Sequence, residues 1–285
     1  MDCVSSNCSG ANAMQVLAID VGGTHVKILA SGEKTPQKFV SGPKMTAKQM
    51  VAQVKKLAAK WEFDAISIGY PGPVLQGRIL HDPHNLAPGW VRFDFKKAFG
   101  RPVKVVNDAA MQALGSYKGG SMLFLGLGTG LGSAMIVDGF LEPMELGHLP
   151  YRKATYEDYV GLRGLERYGK NKWRKYVFDV VERLTAALEP DDIVLGGGNV
   201  KQLEKMPKGC RQGDNANAFA GGFRLWMKED FHTNFAGGAP EDKRLESRFA
   251  TMRRLCKFGR YLYIYCRKRG YKGYETVCRA STQQH

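Results

Sequence analysis

An apolar strand, a glycine-containing turn and a second apolar strand follow one another twice in this chain, at residues 15–30 and 121–137. In the first copy, "AIDVGGTHVKI" leads a strand into Asp20 and then places two glycines and Thr24 at the reversal. Glycine turns of this kind are common in ordinary β-hairpins. They also allow backbone N–H groups to approach an anion closely. Because the unit is repeated and helices follow each copy, we expect two lobes of one design with a cleft between their turns.

The remaining apolar patterns predict an α/β fold. A third strand is expected at 37–42, and Thr46 is a good N-cap for a helix whose apolar residues recur at helical spacing up to Trp61. Later segments are predicted as strands at 64–70, 102–108 and 192–198, and as helices at 108–117, 155–168 and 171–189. The chain is therefore divided into an extension (1–13), an N-terminal lobe (14–118), a C-terminal lobe (119–226) and a basic tail (227–285).

The formal net charge of +15 is concentrated partly in that tail, where 13 Lys and Arg face 6 Asp and Glu. Such a charge attracts polyanions such as nucleic acid, nucleotides or an inorganic phosphate chain. It is equally compatible with a purely solubilising role. No run of 18 apolar residues is present, so we expect no membrane span, and residues 1–14 predict no signal peptide. The six cysteines form no C-x-x-C pair, which favours a reducing cytoplasm.

The second glycine turn, "GLGTGLG" at 126–132, does not fit a dinucleotide-binding fingerprint, because Leu131 stands where the third glycine is required. No P-loop motif occurs in the chain either. What remains is a pair of strand-to-strand turns, each with glycines and a threonine, Thr24 and Thr129. Two such turns can hold phosphoryl groups from opposite sides.

Polar residues follow the predicted strands at two further places. "VVNDAA" puts Asn107 and Asp108 at a strand-to-helix junction, where Asn is a good cap and Asp suits the first turn. An acid there can also accept a hydroxyl proton during phosphoryl transfer. "ELGHLP" and "TYEDYVG" supply Glu145, His148 and Glu157, which form either a structural pair or hydrogen-bond partners for a polyhydroxylated ligand.

These motifs resemble a known family. "IDVGGTHVK", "GYPGPV", "VVNDA", "GLGTGLGSA", "ELGHL" and "IVLGGG" occur in the order and style of the ROK sugar kinases, most like its polyphosphate glucokinases, over residues 14–226. The resemblance implies an α/β, actin-like (RNase H-like) fold with two lobes and a central cleft that binds sugar and phosphoryl donor. It implies a cytoplasmic, Mg²⁺-dependent glucokinase that uses polyphosphate, ATP or both, and it is compatible with a homodimer. Alternatives are an ATP-dependent kinase of another hexose and a non-catalytic sugar-binding member.

The resemblance also implies roles for individual residues. Asp108 matches the base that activates the sugar 6-hydroxyl, and Asp20 matches the acid that helps hold Mg²⁺, usually through water. The glucose-binding set comprises Asn107, Asp108, Glu145, His148 and Glu157, with Asn85 as a further candidate. The donor-binding set comprises Gly22, Gly23, Thr24, Gly128, Thr129, Gly130, Gly196, Gly197 and Gly198.

Three departures from the family pattern affect these expectations. The segment "YRKATYEDYVG" has none of the cysteines that many members use for zinc, as in the polyphosphate-using branch. Only about 14 residues precede the first strand, so we expect no helix-turn-helix and no sequence-specific DNA binding in that mode. The resemblance does not extend to the tail after Trp226, which is either a genuine extension or the product of a shifted reading frame. A cationic path for polyphosphate has candidates in Lys27, Lys104, Lys118, Arg163, Arg167 and Lys170.

Overall fold

Two five-stranded mixed sheets form the framework of the computed structural model, which describes residues 14–214 and 216–227. In chain order, the elements of the first half are β1 (Val16–Val21), β2 (His25–Ala30), β3 (Gln37–Val40), α1 (Ala47–Leu57), β4 (Ala65–Tyr70), β5 (Val74–Leu75), β6 (Arg78–Ile79), α2 (Phe95–Phe99), β7 (Val103–Asn107) and α3 (Asp108–Ser116).

The second half continues with β8 (Ser121–Leu127), β9 (Leu131–Val137), β10 (Phe140–Met144), β11 (Pro150–Tyr151), β12 (Ala154–Thr155), α4 (Tyr156–Val160), α5 (Leu162–Leu188), β13 (Asp192–Gly196), β14 (Cys210–Gln212) and α6 (Asn217–Arg224). Short 3₁₀ turns cover Leu146–His148 and Val200–Gln202.

The two sheets have the same topology. Their orders are β3-β2-β1-β4-β7 and β10-β9-β8-β13-β14. In each, the glycine turn joins a central strand to its antiparallel neighbour, and the strands on the other side are parallel. The predicted repetition of the strand–turn–strand unit is therefore present. Since the carboxyl ends of β1, β4 and β7 share one edge, residues that follow these strands lie close together.

The helices begin and end where local chemistry favours it. Thr46 caps α1 in a capping box with Gln49, and Met50, Val51 and Val54 face the core. The region predicted as helices 155–168 and 171–189 is divided differently. A break at Gly161 separates α4 from α5, and Gly169, with a φ of 69°, kinks α5. Glycine adopts this left-handed conformation without a steric penalty, which is why the long helix turns there.

The last helix lies against the first sheet. The Ser67 hydroxyl of β4 donates to the carbonyl of Gly222 at 2.6 Å and accepts from the indole N–H of Trp226 at 2.9 Å. Lys104 donates to the carbonyl of Leu225 at 2.6 Å. One apolar cluster combines α3 and α6 with strands of the second sheet, so elements on both sides of the predicted lobe boundary share a core. The lobe boundaries stay a prediction, and segments 1–13 and 228–285 lie outside the described residues. Nowhere in the described chain is a helix both long and apolar enough to span a membrane.

Candidate active site

The first glycine turn follows β1 and is tightly held. The N–H of Gly22 donates to the carbonyl of His25 at 3.0 Å, and the carbonyl of Gly22 accepts from the Ser41 hydroxyl at 2.6 Å. A β-carbon on Gly22 would lie 2.9 Å from the His25 oxygen, so only glycine fits the reversal. Thr24, at the tip, is exposed.

Asn85 lies beside this turn. A β-carbon on Gly23 would come within 3.1 Å of the Asn85 β-carbon. The side chain of Asn85 is exposed, although its loop is held by Asp82, which accepts from the N–H groups of Trp90 and Gly89. The loop thus brings Asn85 next to Gly23 of the first glycine turn, although the two residues are far apart in the sequence.

Asp20 is the second-last residue of β1 and is almost completely buried. Its carboxylate lies 3.5 Å from the ammonium of Lys27, its direct neighbour on β2. Burial raises the pKa of Asp20, and the Lys27 charge acts in the opposite direction. Lys27 thus pairs with Asp20 while its side chain stays 39% exposed, and its place in a polyphosphate path stays a prediction.

Asn107 performs the capping role that the sequence allowed. Its side-chain oxygen accepts from the N–H groups of Ala109 and Ala110 at 2.9 and 3.2 Å. Its amide nitrogen donates to the carbonyl of Gly72 at 3.0 Å. These bonds start α3 at Asp108 and fix the direction in which that residue leaves the strand.

Asp108 is partly buried at the start of α3, and its carboxylate accepts from the N–H of Ala109 at 2.8 Å. Burial raises the pKa of Asp108 to about 7, and the charges of Asp20 and Glu145 add to the rise. The structure thus brings three of the predicted site acids, Asp20, Asp108 and Glu145, into electrostatic contact.

His148 links two other predicted residues. Its Nε2 lies 3.6 Å from Glu145, and its Nδ1 lies 3.5 Å from Glu157. More than half of the imidazole is exposed, at 58%, whereas each carboxylate is only 24% exposed. The group therefore presents an accessible donor flanked by two acceptors, which suits a ligand with neighbouring hydroxyls.

The second glycine turn touches this group directly. A β-carbon on Gly130 would lie 2.5 Å from a carboxylate oxygen of Glu157. The turn is held by the N–H of Leu162, which donates to the carbonyls of Gly128 and Thr129 at 3.0 and 3.1 Å. By contrast, in the described part of the chain no heavy atom beyond the residues adjoining Gly128 lies within 4 Å of a β-carbon placed on it, so this part of the turn faces open space.

The third glycine segment supports the second turn. Gly197 has a φ of +84°, and a β-carbon on it would lie 2.5 Å from the carbonyl oxygen of Leu127. Asn199, which the sequence interpretation did not select, donates from its side chain to the carbonyl of Gly128 at 2.9 Å. Its position directly after "GGG" was the available signal. Gly198 is exposed, with open space at its β position.

The Lys and Arg side chains proposed from the sequence for a polyphosphate path lie in different environments. Lys104 packs over the Trp226 ring at 4.5 Å and donates to Leu225, so its assignment to such a path is wrong. The reason is its position near the start of β7, beside the residues that directly follow α6. Arg163 lies beside the second turn, 3.8 Å from Glu157 and 3.3 Å from Asp158. Arg167, Lys170 and Lys118 are exposed.

The carboxylates suit a magnesium ion that keeps most of its water. Within residues 14–214 and 216–227, no three His, Cys, Asp or Glu side chains converge into a metal site made by protein alone. Mg²⁺ is commonly bound by one or two carboxylates together with waters and substrate phosphates. Asp20 and Asp108, two interacting acids at the edge that follows β1 and β7, have the chemistry for this.

Comparison with known proteins places these motifs in a family. The sequence model of the ROK family matches residues 16–157. A glucokinase from Pyrobaculum calidifontis is 32% identical over 145 residues, which are 46% of this chain and 48% of that protein. A polyphosphate glucokinase from Mycobacterium tuberculosis is 28% identical over 155 residues, which are 49% of this chain and 58% of that protein. The chain thus spans about half the length of the curated relatives it matches.

The fold is also found among solved structures. The inorganic polyphosphate/ATP-glucomannokinase from Arthrobacter sp. strain KM superposes with a TM-score of 0.65 at 24% identity, covering 74% of this chain and 98% of that one. This confirms the expected α/β, actin-like fold with two lobes, and the family model includes both glycine turns and all of the Glu and His residues of the site. Over residues 16–157, this chain belongs to the ROK family.

Proposed function

We propose that the protein is a sugar kinase that transfers a phosphoryl group from inorganic polyphosphate, ATP or both to the 6-hydroxyl of glucose. The observation that carries this proposal is the contact between Glu157 and Gly130. In this contact the Glu157 carboxylate, which we assign to sugar hydroxyls, lies against Gly130 of the turn that we assign to phosphate. The names of the similar proteins, which include glucokinases and polyphosphate glucokinases, support the same reaction.

Glu145, His148 and Glu157 would orient the sugar. Each carboxylate accepts from a hydroxyl, and the exposed imidazole between them donates to one or accepts from another. Asn85 and Asn107 are further glucose-binding candidates, although most of the hydrogen-bonding capacity of Asn107 is used within the protein.

Asp108 would act as the general base. A carboxylate with a pKa near 7 is a stronger proton acceptor than an ordinary Asp and is still largely ionised just above neutrality. As O6 of the sugar bonds to the terminal phosphorus, its proton passes to the Asp108 carboxylate. The bond from phosphorus to the bridging oxygen breaks, and the shortened phosphate chain or ADP leaves with the electron pair.

The donor would lie between the glycine turns. Backbone N–H groups at Gly22, Gly23 and Thr24, and at Gly128, Thr129 and Gly130, are suited to phosphate oxygens. The part of the donor beyond its terminal phosphoryl group would lie next to the glycine segment that supports the second turn, Gly196, Gly197 and Gly198. Mg²⁺ bound with Asp20 would neutralise charge on the transferring group.

We propose Arg163 and Arg167 as the beginning of the path for a polyphosphate chain. Arg163 is 71% exposed and adjoins the second turn through Leu162. Polyphosphate would release more counterions on binding than ATP does, so its KM should rise more steeply with added salt. Arg163→Gln should raise the polyphosphate KM several-fold, whereas Lys104→Gln, the matched control, should leave it unchanged.

The decisive experiment is a coupled assay of the purified full chain with glucose and Mg²⁺, in which ATP and polyphosphate are offered separately. Turnover with either donor, lost in Asp108→Asn, supports the proposal. Mannose and N-acetylmannosamine test the choice of sugar. Glucose binding without turnover on any donor would identify a sugar-binding protein that lacks kinase activity and overturn the proposal.

We also propose a cytoplasmic location, a homodimer and no sequence-specific DNA binding. The assembly is tested by analytical ultracentrifugation, in which a single species at the monomer mass would contradict it.

A further inference from the structure

Tyrosines from three elements form one continuous aromatic cluster behind the candidate sugar site. The Tyr159 ring lies 5.0 Å from Tyr151, 5.3 Å from Tyr168 and 5.0 Å from Tyr176, measured between ring centroids. Tyr156 lies 5.2 Å from Tyr151. The cluster joins β11, α4 and both sides of the kink in α5. Aromatic pairs at these distances attract each other beyond the effect of burial alone.

A polar clasp closes the cluster on one side. The Tyr151 hydroxyl donates to Asp179 of α5 at 2.5 Å. The other carboxylate oxygen of Asp179 accepts from Arg183 at 3.1 Å. Arg152 lies over the rings of Tyr151 and Tyr176, at 5.3 and 5.2 Å from their centroids. The clasp therefore ties the β11–β12 hairpin to a helix that extends through the second lobe.

The element held by this cluster is α4, which has only five residues. So short a helix is not stable by itself and depends on tertiary packing. Tyr156 and Tyr159 attach it to the cluster, while Glu157 between them points the other way, toward His148 and Gly130. Any shift of α4 would therefore move the Glu157 carboxylate relative to its partners in the site.

We infer that the Tyr151–Asp179 hydrogen bond positions Glu157, and through it His148, for binding the sugar. Tyr151 and Asp179 are positioning residues, since they act through α4 and do not touch the sugar. The inference rests on the proposed function only in assigning Glu157 and His148 to the sugar.

The test is a comparison of Tyr151→Phe with Tyr117→Phe. Both tyrosines are buried, and both hydroxyls are hydrogen-bonded, Tyr117 to the carbonyl of Gly120 at the far end of the second sheet. Tyr151→Phe should raise the sugar KM about three- to tenfold, as expected for one lost hydrogen bond, with the donor KM unchanged. Asp179→Ala removes the acceptor of the same hydrogen bond together with the acceptor for Arg183, so it should raise the sugar KM at least as much. The double variant should add nothing to Asp179→Ala, because the Tyr151 hydroxyl has then already lost its partner.

A second measurement does not require activity. The imidazole NMR signals of His148, identified by their loss in His148→Gln, should shift in Tyr151→Phe and stay in place in Tyr117→Phe. Shifted signals in a protein without kinase activity would leave the positioning role intact while the proposed function failed. The inference is overturned if the signals stay in place, if both KM values rise together, or if the two Phe variants behave alike.

Discussion

Asp108 is subject to two opposing demands. Proton acceptance requires a charged carboxylate, whereas burial and the charges of Asp20 and Glu145 favour the neutral acid and raise the pKa to about 7. Asp108 is therefore a stronger base than an ordinary Asp, because its surroundings destabilise the charged carboxylate. Both the rate and the stability should therefore depend on Asp108 between pH 4 and pH 8.

Replacement of the base should separate catalysis from binding. Asp108→Asn keeps the acceptor for the Ala109 N–H and removes the proton acceptor, so kcat should fall by about two orders of magnitude or more. Glucose binding, measured by calorimetry, should persist. A variant with nearly full kcat would remove Asp108 from the mechanism.

The same substitution should stabilise the protein at alkaline pH. The folded pKa of about 7 exceeds the ordinary value of 3.8, so the folded state retains a proton that the unfolded state has lost. The free energy of unfolding therefore falls as the pH rises from about 4 to about 7. At pH 8, Asp108→Asn should raise Tm by roughly a few °C, and at pH 4 the difference should vanish. A Tm difference independent of pH would contradict the raised pKa.

The neighbouring Glu145 carboxylate should affect the pH at which activity is half lost on the acidic side of the profile. Because the charge of Glu145 raises the pKa of Asp108, Glu145→Gln should shift this midpoint in kcat toward lower pH. Saturating sugar separates this shift from weaker binding. Glu204→Gln, which removes an acid paired with Arg174 away from the site, serves as the control. An unchanged midpoint would show that the two carboxylates do not interact.

At the scale of the elements, the glycines of the turns fall into two classes. Gly128 has open space at its β position and lies outside the left-handed region, whereas Gly197 has a φ of +84° and contacts Leu127. Gly128→Val should therefore fold normally and raise the donor KM about tenfold or more, by obstructing the approach of phosphate. Gly197→Ala should instead lower Tm. Gly209→Ala, which has a similar φ of +77° but open space at its β position, is the control for Gly197→Ala. Unchanged donor kinetics in Gly128→Val would make "GLGTGLG" an ordinary hairpin.

The same contrast explains how much the sequence could predict. Both turns, the Thr46 cap and the start of α3 at Asp108 were predictable, because each depends on residues within a few positions of one another. The supporting bond from Asn199 to Gly128 and the commitment of Lys104 to Leu225 join residues far apart in the chain. No local pattern encodes such contacts. The tyrosine cluster was not predicted either, because it depends on the packing of β11, α4 and both parts of α5 against one another.

At the scale of the whole molecule, α6 connects the end of the described chain to its first sheet. Ser67 is fully buried and is bonded both to Gly222 and to Trp226. Ser67→Ala leaves a buried carbonyl and an indole N–H unsatisfied, so the free energy of unfolding should fall by about 1–3 kcal/mol. Urea unfolding measures this loss. The control is Ser31→Ala, which removes the hydrogen bonds between the Ser31 hydroxyl and the backbone of Val16 at the start of β1. Equal losses in both variants would show that α6 adds no special stability.

The placement of α6 also has a consequence for biosynthesis. Gly222 packs so closely on β1 that a β-carbon there would lie 2.7 Å from that of Ala18. β1 is the first strand of the described chain, and it is thus covered by a helix that emerges from the ribosome some 200 residues later. During most of translation, the nascent N-terminal lobe must expose this apolar surface. A chain released before α6 would keep a permanently uncovered sheet, which is the kind of surface that chaperones bind and that promotes aggregation.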